Sequence, residues 1–295
     1  RTTRLGFSGA RRYPCTRSWQ NRLGSAGVQD AIKLSVDGVS KTFRVRGVRR
    51  SEDTLLPVLR RVSFTVRDGE IVSLIGESGC GKTTLLRLVQ GLIRRDAGDI
   101  RVDGKPVSEP GRDRGFVFQQ ATLLPWRSAR QNIEFGLELQ GMARSERGDR
   151  AQALLQLVGL AHAGEQFPHQ LSGGMQQRVG LARALAIDPA ILLMDEPFSA
   201  LDAQTREVLQ AELLRIQSET RKTVLFVTHD LDEAIYLSNR VIVLGAKPGR
   251  IKKIIDIPFA APRGELPELR GDPRFQKIRA EMWSLIRDVP AAAAA

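Results

Sequence analysis

No apolar stretch in this 295-residue chain approaches the roughly 20 residues that a helix needs to cross a bilayer, and runs such as Ile191 to Met194 end at charges after a strand's length. A membrane-spanning helix is therefore not expected. Cysteine is almost missing. Cys15 and Cys80 stand far apart, which excludes a disulfide framework and points to a reducing compartment, with the cytoplasm as the expected location. Internal repeats are absent. Acidic residues are outnumbered, with a formal net charge of +12, and the excess is uneven. Residues 1–31 carry six arginines (Arg1, Arg4, Arg11, Arg12, Arg17 and Arg22) against Asp30, with little apolar periodicity. They are expected to form a basic, flexible extension. A second basic cluster, Lys41, Arg44, Arg46, Arg49 and Arg50, follows it.

From Ile32 onward short apolar strands alternate with helical patterns, the signature of an α/β domain with a largely parallel sheet. Strands are expected at Ile32 to Val36, Val62 to Val66, Ile71 to Ile75, Gly115 to Phe118, Ile191 to Met194, Val224 to Val227 and Val241 to Leu244. The stretch Ile100 to Val107 contains Asp103-Gly104, which suits a tight hairpin turn. Between Gln119 and Ala190 no strand signal survives, and amphipathic patterns such as Ala151 to Val158 and Gly174 to Ala186 predict an inserted helical subdomain. The first strands predict an antiparallel β subdomain. After Pro258 the composition turns to proline, glycine and charge, with one more amphipathic helix near Phe275 to Ile286. The expected division is an extension over 1–31, a catalytic domain over 32–258 with its helical insertion at about 119–190, and a C-terminal extension over 259–295.

Gly76-Glu77-Ser78-Gly79-Cys80-Gly81-Lys82-Thr83, followed by Thr84, matches the phosphate-loop pattern and lies between a strand and a helix that begins near Lys82. The glycines let successive N–H groups curl toward one point, and the helix N-terminus adds partial positive charge. Lys82 can reach the β and γ phosphates of ATP, and the Thr83 hydroxyl can ligate Mg²⁺. A plain glycine turn would need neither the lysine nor the hydroxyl. Asp195 and Glu196 emerge where Ile191 to Met194 ends, the edge at which parallel sheets bind ligands. Asp195 is placed to hold Mg²⁺ through water, and Glu196 to orient or deprotonate the attacking water.

Leu171-Ser172-Gly173-Gly174-Met175-Gln176-Gln177-Arg178 makes a second helix N-terminus. Its free N–H groups suit a γ-phosphate, but it has no lysine or metal ligand of its own. This run resembles the signature motif of the ABC ATPases. Gln119, then Ser199-Ala200-Leu201-Asp202, then His229 follow in that family's order. The resemblance implies a P-loop NTPase (RecA-like) core and a head-to-tail dimer, in which ATP lies between one copy's phosphate loop and the other's Ser172, Gly173, Gly174 and Gln176. It further implies that Gln119 senses Mg²⁺ and the attacking water, that Asp202 reaches across the dimer, and that His229 touches the γ-phosphate. Phe43 resembles the aromatic that stacks on adenine. His162 and His169 have no motif around them.

The resemblance covers about residues 32–258. Leu123-Leu124-Pro125-Trp126 and Lys247-Pro248-Gly249-Arg250 look like those of importers for nitrate, taurine, sulfonates and related solutes. That likeness implies transmembrane permease subunits as partners, with Trp126 near a permease helix, a solute-binding protein acting indirectly, and a place on the cytoplasmic side of the inner membrane. An exporter or lipid-transport ATPase remains the near alternative. A nucleic-acid-acting ABC ATPase would suit the high charge, but no sustained heptads separate Lys82 from Ser172, and no nucleic acid is expected as a partner.

Overall fold

A computed structural model describes residues 31–45, 54–245, 247–259 and 263–287. Apart from Ala31, the expected basic extension lies outside these residues, as do Arg46, Arg49 and Arg50 of the second basic cluster.

Two sheets organise the chain. The antiparallel one has the order β2-β1-β4-β5, from β1 (Ile32–Val45), β2 (Thr54–Arg67), β4 (Ala97–Val102) and β5 (Lys105–Pro106). The other contains β3 (Ile71–Gly76), β6 (Arg114–Val117), β7 (Ile191–Asp195), β8 (Thr223–Val227), β9 (Arg240–Leu244) and β10 (Ile251–Asp256). Its order is β10-β9-β3-β8-β7-β6. Within it β9, β3, β8, β7 and β6 run parallel, and only β10 pairs antiparallel, at the edge. The fold is the P-loop NTPase architecture, a mainly parallel sheet with an antiparallel sheet beside it.

The central strands read as nearly continuous apolar runs, broken by Ser73 in β3, because both of their faces are buried. Alternate side chains serve different cores. Val72, Leu74, Leu193, Leu225, Ile242 and Leu244 face the antiparallel sheet and helix α1 (Lys82–Gln90). Ile71, Ile75, Leu192, Phe226, Val241 and Val243 face the remaining helices. Those are α2 (Ala129–Leu139), α3 (Arg144–Leu157), α4 (Gly173–Ala186), α5 (Ala203–Thr220), α6 (Leu231–Leu237), α7 (Leu266–Arg270) and α8 (Pro273–Ile286). Between residues 119 and 190 the described structure is helix, turn and loop. Ser128 opens α2 with a capping box, accepting from the Gln131 N–H while Gln131 accepts from the Ser128 N–H, so two otherwise unpaired donors are satisfied together.

Three features differ from the sequence expectation. β1 runs on to Val45, and β2 starts at Thr54, because the two pair along their whole length through several register shifts that blur a strict alternation. β10, Ile-Lys-Lys-Ile-Ile-Asp, has no period-2 pattern. It forms on the free hydrogen-bonding edge of β9, and lysines at an exposed edge oppose further pairing. Helix α5 is mostly polar and buries only Leu209, Gln210, Leu213 and Ile216, a stripe too narrow to signal a helix strongly. Phe259, Phe275, Ile278 and Met282 belong to the same apolar cluster as the main sheet.

Candidate active site

Because β3, β8 and β7 are adjacent and parallel, their carboxyl ends meet at one edge. Three sequence-distant segments converge there: residues 76–83, Asp195-Glu196 and the turn Thr228 to Asp230. Gly81 caps α1 with φ 102°, and no side chain caps the helix. A Cβ at Gly81 would stand 2.6 Å from Leu59 Cδ2, so only glycine allows the loop to close against β2. The first N–H groups of α1 are left open to an anion. Lys82 is buried, and its ammonium donates to the carbonyls of Gly76 at 2.8 Å and Glu77 at 3.1 Å. Glu77, Ser78 and Gly79 form the exposed rim, while Cys80 points inward. Burial pushes the Cys80 thiol up, making it a poor nucleophile.

Thr83 donates its hydroxyl to Asp195 Oδ1 at 3.1 Å. Burial raises the Asp195 carboxyl, the Thr83 bond opposes this, and Glu196 adds to the rise. The structure thus sets two hard oxygen donors side by side at the mouth of the phosphate loop. Glu196 has φ 47°, a region costly for a residue with a Cβ. Its N–H donates to Val227 O at 2.9 Å, and its carbonyl accepts from the Ser199 hydroxyl at 2.9 Å. This conformation directs its carboxylate to His229, whose Nδ1 lies 3.1 Å from Glu196 Oε2.

Other sequence candidates stand apart. Gln119 is exposed just beyond β6, and its side chain makes no hydrogen bond to Thr83 or Asp195. Phe43 is partly exposed on β1 opposite Leu56, with the Lys41 ammonium 5.4 Å from its ring centroid. Ser172 caps α4 by accepting from the Met175 N–H at 3.3 Å. Gly173 and Gly174 back onto the α5 region, where a Cβ on Gly174 would meet Thr205 at 2.8 Å. Gln176 turns its amide back to the carbonyls of Pro168 and Leu171, at 2.9 and 3.2 Å. Asp202 is exposed and caps α5 through the Thr205 N–H, which lowers its carboxyl. Among the described residues no hydrogen bond or ion pair joins 171–178 to 76–83.

Three residues of the quoted runs make contacts that the sequence did not predict. Gln177 donates to Gln119 O at 2.5 Å, tying the start of α4 to the Gln119 turn. Lys247 brings its ammonium to 3.3 Å from where a Cβ on Gly79 would stand, and Gly249 approaches so closely that its own Cβ would lie 2.1 Å from Cys80 O. These neighbours lie far along the chain, so no local motif encodes the contacts. Trp126 is 71% exposed and borders an open groove of about 400 Å³ with Arg127, Glu134 and Arg147.

The profile of the ABC transporter family matches residues 59–199. The chain is 48% identical over 257 residues to an uncharacterized ABC transporter ATP-binding protein of Methanocaldococcus jannaschii, covering 87% of this chain and 92% of that one. It is 44% identical to a taurine import ATP-binding protein of Rhizobium johnstonii (86% and 96% covered). It is 45% identical to a nitrate import ATP-binding protein of Synechocystis sp. (78% and 88% covered). Among solved structures it resembles a dimeric ATP-binding cassette in a post-hydrolysis state with ADP and Pi. The TM-score is 0.65 and the identity 34%, over 76% of this chain and 98% of that one.

Proposed function

The chain belongs to the ABC transporter family as an ATP-binding subunit, an ATPase, and from that premise we propose that two copies power a membrane importer for nitrate, taurine, a sulfonate or a similar small solute. The observation that carries the reading is the division of the site. The Glu196 and His229 pair and the Thr83 and Asp195 pair surround the phosphate loop, whereas Ser172 and its glycines, a second anion-ready helix start, make no bond to that loop within the chain. A second copy placed head to tail would complete each site, as the dimeric structural relative suggests.

Among the described residues no cluster of His, Cys, Asp or Glu could by itself hold a resident metal, but Thr83 and Asp195 offer the hard oxygen ligands that Mg²⁺ takes alongside nucleotide phosphates. Mg²⁺ would neutralise charge developing on the phosphates. Lys82 exchanges its loop carbonyls for the β and γ oxygens. The carboxylate of Glu196 accepts a proton from the attacking water, and the His229 side chain steadies both the carboxylate and the terminal phosphate. Gln119, tied through Gln177 to α4, relays the state of the site toward the face around Trp126. Phe43 receives the adenine ring, and Asp202 reaches toward the other copy.

The substrate class rests on the relatives named for taurine and nitrate import and on Leu123 to Trp126 and Lys247 to Arg250. No helix among the described residues is long and apolar enough to cross a membrane. In this reading permease subunits, the partners of import ATP-binding proteins, carry out translocation, with this chain docked peripherally on their cytoplasmic side and a solute-binding protein delivering substrate. The test is ATPase activity of the reconstituted complex with its binding protein, comparing nitrate, taurine and alkanesulfonates with sugars and amino acids. Stimulation by the first group is expected. Stimulation by a sugar or amino acid alone would overturn the substrate class and leave the ATPase assignment standing.

A further inference from the structure

Residues 263–287 hold both ends of α6, the helix that begins two residues after His229. The turn and the helix are one unit: Asp230 accepts from the N–H groups of Asp232 at 2.9 Å and Glu233 at 3.2 Å, and its own N–H donates to the Thr228 hydroxyl at 3.0 Å. Whatever fixes α6 therefore fixes His229. With seven residues, α6 is too short to be stable by itself and depends on what surrounds it. At its C-terminal end Arg263 donates to the carbonyls of Ile235 at 2.9 Å and of Tyr236 and Ser238, groups a helix leaves unpaired. Burial lowers Arg263 to about 10, so it stays cationic at neutral pH. At the N-terminal end Asp232 is gripped from two helices. Arg270 of α7 donates Nε to Oδ2 at 2.8 Å, and Arg279 of α8 donates Nε to Oδ1 at 2.7 Å. Arg270 also reaches Glu207 on α5 at 3.2 Å, the helix that Asp202 caps.

An exposed ion pair usually contributes little, but here each oxygen of one carboxylate is taken by a different helix. Phe275 and Met282 of α8 are fully buried, so packing fixes the helix that carries Arg279. We propose that Asp232 is a positioning residue for ATP hydrolysis, through which Arg270 and Arg279 let the C-terminal segment set His229 against Glu196. The inference rests on the reading that His229 acts in hydrolysis.

The test uses the full chain carrying Asp232→Asn, Arg270→Gln, Arg279→Gln, or both arginine changes. Steady-state kinetics is read together with imidazole NMR, which is simple here because the chain has only His162, His169 and His229. The double variant is expected to lower kcat about tenfold, equivalent to about 1.4 kcal/mol of barrier, with KM for ATP changed less than about twofold. The His229 signal should move while those of His162 and His169 stay. Arg279→Lys, which keeps the charge, should recover most of what Arg279→Gln loses. The single variants keep the question open to measurement should the double variant fail to fold. Wild-type kcat in the double variant, or a lower kcat with the His229 signal unmoved, overturns the proposal. His229→Ala separates the two readings: full turnover there would sink the role of His229 itself, whereas loss there beside wild-type behaviour in the arginine variants would sink only the clamp.

Discussion

Glu233, in the first turn of α6, is buried behind the Glu196 and His229 pair and accepts from Gln210 Nε2 at 2.8 Å. Burial raises its carboxyl against the opposing bonds from Thr228 and Gln210. Its folded pKa thus lies above the unfolded value of about 4.3. Below that unfolded value the carboxyl is protonated in both states and the fold keeps its full stability. As pH rises through the unfolded and then the folded value, that stability is lost. Glu233→Gln keeps the shape and the acceptor for Gln210 without the charge. Its stability relative to the native chain should therefore climb between pH 4 and pH 7, read from urea unfolding at each pH. A flat difference would show that the buried carboxyl costs nothing. Lys82→Ala removes the charge aimed at the phosphates and should cut ATP turnover by about a hundredfold or more, and near-native turnover would mean the phosphate site is misplaced. Lys82, Thr83, Asp195, Glu196 and His229 were legible because their chemistry is packed into short motifs. The contacts of Gln177 and Gly249 were not, since what they touch is backbone brought near by the fold.

The connection from β9 to β10 shows what the same limit means for whole elements. A strand such as β8 announces itself because Val224 to Val227 are all apolar and the strand is buried on both faces. β10 exists because β9 offers an edge, and nothing within Ile251–Asp256 encodes that neighbour. Between them Gly249 links the two sheets, donating its N–H to Val58 O at 2.8 Å and accepting from the Arg60 N–H at 3.0 Å. Since its Cβ position is 2.1 Å from Cys80 O, Gly249→Ala must push either the strand pairing or the phosphate loop. Overpacking of this kind costs about 1–3 kcal/mol. Because the yielding atom is loop backbone, the expected result is a raised KM for ATP together with a lower melting temperature. Kinetics and calorimetry on one preparation check both, and an unchanged KM with lowered stability would assign the strain to the sheets alone.

At the scale of the whole molecule the described chain holds two anion-ready helix starts that never meet, α1 with Lys82 and Thr83 and α4 with Ser172 to Gly174. Packing explains their separation. α4 is held by α2, α3 and α5 in one apolar cluster, α1 by the antiparallel sheet in the other, and the main sheet stands between the two cores. The proposed second copy, placed head to tail, would bring the two together. ATP should then draw two chains together, and hydrolysis should release them. Glu196→Gln keeps the size and a hydrogen-bonding group beside His229 but loses the basic carboxylate, so the variant should bind ATP, fail to turn it over, and accumulate as a dimer. Light scattering on a gel-filtration column equilibrated with ATP and Mg²⁺ measures this directly. The native chain should run mainly as a monomer and the variant mainly as a dimer that ADP does not support. A variant that stays monomeric at nucleotide concentrations shown to saturate it would rule out the shared site.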